Sequence, residues 1–419
     1  MRVCVHTVGE GGVGFYRTRQ PYLWIGNNTD IDVFIYDPKL HSPQRLKDEI
    51  EAADVLVYQM CFGEFIKNII QDNKKRIKPK KIVLEYDDFI FGVHPMNPAY
   101  KTFGTEEIFI TYKDKFSAQN AKRLLRAQGD TREIIDNPDG SCTFEMWKDG
   151  KDGFHLKENR LRALGAQYAI AHCDLVTVTN NYLGKQYRKY RPKGPIAVVP
   201  NVVDFKRWLP MKKNETKEIR LGWQGGSAHY QDLHLVRKPL WKLLDKHPNL
   251  KIVLQGVGFD ALFKPNPDNG MKDYSNRIEW RAWHSDNLTY PVDLRDMRAD
   301  IAMCPVIDDP FNRGKSELKW IEFGAMKIPC VVSPVCYTSV KHGKTGLVAN
   351  NENEWFEYLD KLISDKEYRL EMGERVYERI KNHHSVDEYM GLENILRDLM
   401  VDNIKKFTTA HISKEKVLV

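Results

Sequence analysis

Short runs of Val, Ile and Leu alternate with helical patterns along nearly the whole chain. In the first half the runs are RVCVHTV, IDVFIY, DVLVYQM, KIVLEY and DLVTVT; in the second they are EIRLGWQ, LKIVLQG, RIEW, ADIAMC and IPCVVS. The apolar positions are continuous, not alternating, which predicts parallel sheets covered on both faces by helices. Two such series predict two doubly wound, Rossmann-like α/β domains. They divide at MKKNETKE, a polar run after IAVVPNVVDFKRWLP, so the first domain is set at residues 1–204 and the second at 205–385. Residues 95–155 interrupt the first series, and the Asp-Gly pairs of NPDGSCTFEMWKDGKDG predict an inserted hairpin. Residues 386–419 read as a helix and a polar tail.

Composition narrows the class. Of 419 residues, 42% are hydrophobic and 29% charged, ordinary values for a folded globular chain. No apolar run approaches the roughly 18–20 residues of a membrane span, and MRVCVHTVGEGG reads as a first strand, not a signal peptide. Seven scattered cysteines with no CxxC pair predict neither a disulfide framework nor a metal site, and a cytoplasmic setting. The net charge of +7 is compatible with a polyanionic partner.

Candidate chemistry sits at strand ends. The first strand runs into VGEGGVGFYRTRQP, where Gly9, Gly11, Gly12 and Gly14 form either a structural turn or a loop facing a ligand; it is not a GxGxxG fingerprint. In QGGSAHYQDL, Gly225, Gly226 and Ser227 can offer backbone N–H groups to a phosphate, with His229 and Tyr230 within side-chain reach. Asp87 and Asp88 end a buried strand, with His94 and Asn97 soon after; paired carboxylates there bind a metal, orient a hydroxyl or act as a base, or only cap a turn. FNRGKSELKWIEFGAMKIPCVVSP places Arg313, Lys315 and Lys319 at the start of a helix expected from about Ser316 to Met326. Lys315, Lys319 and Glu322 share one face at i, i+4, i+7. Cations there oppose the helix dipole by about 0.3–1 kcal/mol each, a conflict that a bound anion removes; otherwise they form a solvated basic face. KKRIKPKK and KQYRKYRPK are basic stretches, and the second interleaves Tyr187 and Tyr190 with Lys185, Arg188, Lys189 and Arg191, as contact with nucleic acid favours, unless it too is only surface.

VVPNVVD, GWQGGSAHYQDL, KSELKWIEFGAMKIPCVVS and HGKTGLVANNENEWFEYLDKLISD resemble the group-1, glycogen synthase-like retaining glycosyltransferases. The likeness covers most of the chain and is strongest over about residues 196–350. It implies the GT-B fold, two Rossmann-like domains facing across a cleft, and metal-independent transfer from a nucleotide-diphosphate sugar, UDP-linked, with no cofactor. In that family's E-x7-E motif the second Glu holds the donor ribose; Glu322 maps onto it, with Pro329 in register. The first Glu, which contacts the donor sugar, is replaced by Gly314, leaving the sugar unassigned and Arg313 and Lys315 as holders of the diphosphate. The GFYR start, the Y-D-D-x-x-F…NP segment, GGS-x-HY-x-DL and NRGKS-x-LK-x-x-E are similar to a subset frequent in bacteriophage genomes, some of which glycosylate hydroxymethylated pyrimidines in DNA and others surface polysaccharide. The expected acceptor is therefore a hydroxymethylated pyrimidine in duplex DNA, with Asp87, Asp88 and His94 catalytic. The alternatives are a polysaccharide, lipid-linked or protein acceptor, or a non-catalytic protein of this fold that binds nucleic acid or a nucleotide sugar.

Overall fold

The computed structural model describes residues 1–9, 11–124, 131–210, 217–226, 229–256, 272–283, 289–403 and 407–409. Its strands are β1 (Arg2–His6), β2 (Asp32–Tyr36), β3 (Val55–Gln59), β4 (Lys81–Tyr86), β5 (Ile108–Tyr112), β6 (Ile134–Asp136), β7 (Cys142–Trp147), β8 (Leu175–Val178) and β9 (Ile196–Val198). They continue with β10 (Ile219–Gly225), β11 (Leu250–Gly256), β12 (Ile278–Arg281), β13 (Ile301–Cys304), β14 (Cys330–Val332), β15 (Leu347–Val348) and β16 (Phe407–Thr409). The first sheet has the order β16-β9-β8-β4-β3-β1-β2 and the second β12-β11-β10-β13-β14-β15. All pairings in both are parallel. Each sheet separates two apolar clusters, one per face, which is why its strands read as unbroken hydrophobic runs. The expected pair of doubly wound domains is present.

Residues 95–155 contain more than a hairpin. β6 and β7 are joined by a tight turn, Asn137 N–H donating to Ser141 O at 2.8 Å and Gly140 at φ +83°, and β5 pairs with the far edge of β7. Of the residues set apart as 386–419, the described helix and strand pack with the first domain. The helix Tyr389–Met400 buries Leu392, Ile395, Leu396 and Leu399 against Val3, Val5, Tyr22 and Ile25, and β16 extends the first sheet beside β9. The chain therefore crosses between the domains twice, and the crossings touch: Val203 and His384–Val386 exchange backbone hydrogen bonds at 2.9 and 3.2 Å. Among the described residues no helix is long and apolar enough to cross a membrane.

Candidate active site in the cleft between the domains

The loop after β1 is fixed by packing that only glycine permits. A Cβ on Gly14 would stand 2.0 Å from Gly9 O, whereas Gly11 and Gly12 face open space. Gln59, at the end of β3, ties the loop down: its Oε1 accepts from Val8 N–H and its Nε2 donates to Val13 O. The helix that follows widens to a π turn over Phe15–Arg19, just before Pro21, which has no N–H to return to the preceding turn. That turn buries Arg17, whose Nε donates to Glu85 at 2.7 Å and whose Nη1 reaches Val199 O and Asn201 Oδ1. The loop and the end of β4 are thus held as one unit.

Strand ends from both sheets meet around a cavity of about 310 Å³. Gly12, Asp87 and Asp88 line it from the first domain, and Gly225, Gly226 and His229 from the second. Lys315, Lys319 and Glu322 line it together, so the expected shared face is real. The helix itself is shorter than expected, Leu318–Ala325, and Lys315 precedes it, after the turn Asn312–Gly314.

The charged groups in this cavity are buried. Lys319 Nζ is buried, has no hydrogen-bond partner among the described residues, and lies 5.2 Å over the Trp223 ring. Burial, aided by the charge of Lys315, lowers its pKa. Lys315 Nζ stands 3.8 Å from Asp88 Oδ1; burial works against its charge, but Asp88, Asp232 and Asp87 raise its pKa. Burial, and then the neighbouring Asp88 and Glu85, push the Asp87 carboxyl up, and its Oδ1 also has no partner among the described residues. His229 Nδ1–H donates to Asp232 Oδ2 (2.7 Å), and burial with the nearby Lys319 pushes its pKa down to about 4, so it is neutral.

Glu322 is 1% exposed, and burial pushes its carboxyl up to about 8. Three protein donors reach it: Tyr16 Oη at 2.8 Å from across the cleft, Gln224 Nε2 at 3.1 Å and Tyr290 Oη at 3.2 Å. These partners escaped the sequence reading. Tyr16 and Gln224 lie inside the quoted GFYR and GWQGGS motifs, but Tyr290 carries no local signal at all. Gly314 has a packing explanation as well. A Cβ there would stand 2.7 Å from Leu183 Cδ2 and 3.3 Å from Phe89 Cβ, so the position of the expected sugar-binding carboxylate is a contact between the domains.

Other expected site residues lie elsewhere. Arg313 is exposed and paired with Asp308 at 2.5 and 2.9 Å, outside the lining of this cavity, so its charge is already answered. His94 is exposed, its Nδ1 accepts from Met96 N–H, and it does not line the cavity; it shapes a turn. The helix after the Gly225-Gly226 loop is a single turn, Tyr230–His234, and Gly226 leaves room for close approach to its backbone. Ser227 and the side chain of Tyr230 lie outside the described residues. The basic stretch at 185–191 is largely structural. Tyr187 is fully buried with its Oη donating to Asp88 O, and Arg191 is 4% exposed, spending its guanidinium on Ile170, Asp174 and Pro195 carbonyls. Arg188 donates to Arg191 and Gly194 carbonyls, and Tyr190 packs on Phe91; only Lys185 and Lys189 are exposed. Among the described residues no three His, Cys, Asp or Glu side chains are grouped to hold a metal ion.

No protein-family model matches the sequence, and no curated protein does. Solved structures do match the fold over nearly its whole length. Anabaena HepE in complex with UDP-glucose aligns with TM-score 0.52 and 13% identity, covering 95% of this chain and 100% of that one. The catalytic domain of starch synthase IV from Arabidopsis thaliana, bound to ADP and acarbose, aligns with TM-score 0.56 and 10% identity over 96% and 99%. An α-glucosyltransferase in complex with UDP aligns with TM-score 0.55 and 12% identity over 96% and 100%. The fold is GT-B. In GT-B terms the 310 Å³ cavity lies where the two domains face each other, at the carboxyl ends of strands from both sheets, the position at which open α/β sheets bind ligands.

Proposed function

We propose that the protein is a glycosyltransferase that takes its sugar from a nucleotide diphosphate, UDP-linked, and passes it to an acceptor hydroxyl with retention of anomeric configuration. The observation that carries this reading is the pair Lys315 and Lys319 in the cleft, the second with a buried, unpartnered ammonium. An unpaired buried ammonium is costly, and an anion of two adjacent phosphates answers it. Backbone at Gly226 and Gly12 approaches the same space. The HepE and α-glucosyltransferase structures hold UDP-glucose and UDP, which supports the UDP-linked donor, and the starch synthase structure holds ADP, which supports a nucleoside diphosphate more generally. Glu322 takes the ribose by exchanging the hydrogen bond it now receives from Tyr16.

In the transfer step the bond from the anomeric carbon to the distal phosphate oxygen breaks and the bond to the acceptor oxygen forms on the same face. The acceptor proton passes to the departing phosphate oxygen, whose charge Lys315 and Lys319 stabilise. Asp87 and Asp88, which border the same space, orient the acceptor hydroxyl. Retention rests on the motif likeness. Of the reasons for expecting a duplex-DNA acceptor, the 185–191 stretch is weakened by the burial of Tyr187 and Arg191, while the motif likeness, the KKRIKPKK stretch and the net charge of +7 remain. The test is incubation with UDP-, ADP- and GDP-sugars, reading nucleoside diphosphate release and the product's anomeric configuration by NMR. UDP-sugar turnover with retention is expected; absence of binding to any nucleotide sugar overturns the reading.

A further inference from the structure

A second, larger cavity of about 1170 Å³ adjoins the first, the two sharing Asn201, Val306, Ser316 and Cys336 in their walls. It exceeds the roughly 300–1,000 Å³ of a small-molecule site. Its walls carry three carboxylates, Asp308, Glu317 and Glu352, and one guanidinium, Arg313. That single cation is committed to Asp308. Burial and the nearby Arg237 push His234, also in the wall, down to about 4, so it adds no charge.

The remaining polar wall is made of neutral hydrogen-bonding groups, among them Thr179, Asn181, Gln231 and Asn350, with Tyr182 and Trp355 supplying ring surface. One of these groups is conspicuously unsatisfied. Thr179 is 4% exposed, and its Oγ1 has no hydrogen-bond partner among the described residues. A buried hydroxyl left unpaired is costly, and a polar ligand in the cavity supplies the missing partner.

We infer that this cavity is the acceptor site and that the acceptor is a neutral oligosaccharide, not a polyanion; the acceptor role, though not the binding, rests on the transferase reading above. A nucleic acid would need several uncommitted cations around its phosphates, and the one guanidinium in these walls is already paired with Asp308. A chain of uncharged hydroxyls asks for amides, hydroxyls and ring faces, and meets them here. Ser316, common to both walls, directly follows Lys315, so this end of the cavity adjoins the donor side.

The test has two independent readouts. Maltotetraose, cellotetraose and chitotetraose are titrated into the protein by calorimetry without any nucleotide, so a failure of the donor reading leaves this measurement intact. Binding of at least one, insensitive to salt between about 50 and 500 mM, is expected; no binding overturns the inference. With whichever UDP-sugar binds, the same oligosaccharides and a duplex containing 5-hydroxymethylcytosine are then offered as acceptors. Modification of the duplex alone overturns the inference, and a mass increase on an oligosaccharide supports it. Thr179→Val should raise acceptor KM about fivefold, the size expected for one lost neutral hydrogen bond, and move it further than donor KM. An unchanged acceptor KM overturns the placement.

Discussion

Lys319→Met separates a binding residue from a structural one, because the two roles predict opposite signs. Methionine keeps the length and apolar packing of the lysine stem but removes the charge. In the nucleotide-free protein that charge has no hydrogen-bond partner among the described residues, and the Trp223 ring, 5.2 Å away, together with the Asp232 carboxylate offsets only part of its burial. A desolvated cation over an aromatic ring returns up to about 2 kcal/mol, against a burial penalty of several kcal/mol per ion. The variant should therefore be more stable than the wild type without nucleotide, by about 1 kcal/mol, a rise of about 1–3 °C in Tm. With UDP the order reverses. At a UDP concentration of about 100 Kd the wild type gains about 2.7 kcal/mol. Loss of a hydrogen bond to a charged group removes about 1.5–3 kcal/mol of binding, and a 100-fold weaker Kd lies within that range. The same UDP concentration then equals the variant's Kd and stabilises it by only about 0.4 kcal/mol. Differential scanning calorimetry of both proteins, with and without UDP, should show the melting order invert. A variant that melts below the wild type without UDP, yet keeps the full UDP shift, would refute the reasoning.

Three further outcomes follow from the same geometry. Burial holds the Glu322 pKa up at about 8, above its unfolded value, so its stabilising contribution is complete below about pH 4.5 and lost as pH rises through 8. Urea midpoints of the wild type should fall between pH 5 and 8.5, with a slope of up to about 1.4 kcal/mol per pH unit from this group, and Glu322→Gln should flatten that fall; parallel slopes would contradict it. Arg17→Met strands Glu85, 3% exposed, and should destabilise the protein by about 3–5 kcal/mol in urea titrations, with Arg17→Lys only a partial rescue because it lacks the bidentate fork. A loss below about 1 kcal/mol would count against the pair as a support of the loop. Ending the chain at residue 385 uncovers Val3, Val5, Tyr22 and Ile25 and should yield a protein that binds ANS and aggregates on purification; a monodisperse product with the wild-type Tm would show the last helix to be dispensable.

What the sequence disclosed, and what it hid, follows from the range of the interactions. Runs such as KIVLEY and LKIVLQG announce themselves because a parallel strand is buried on both faces and needs no partner to be recognised. Lys315, Lys319 and Glu322 were legible as a group because their spacing alone puts them on one side of a turn and helix. β16 was not, since three residues on a sheet edge carry no periodicity. The Tyr16–Glu322 bond joins residues 306 apart in sequence, and only the closed arrangement of two domains creates it. The stretch KQYRKYRPK misled for a different reason: arginine and tyrosine serve equally well on a surface and as buried donors to carbonyl groups, and composition does not distinguish the two.

The return of the last helix and β16 to the first sheet also fixes an order of events during synthesis. When residues 1–204 have emerged from the ribosome, β9 is an open edge and the face formed by Val3, Val5, Tyr22 and Ile25 has no cover. Both deficiencies persist while the whole second domain is made, and end only when residues 389–409 arrive. An exposed parallel edge beside an uncovered apolar face is prone to pair with other chains. The half of the protein that is translated first is thus completed last, and its nascent form is the species most in need of a chaperone.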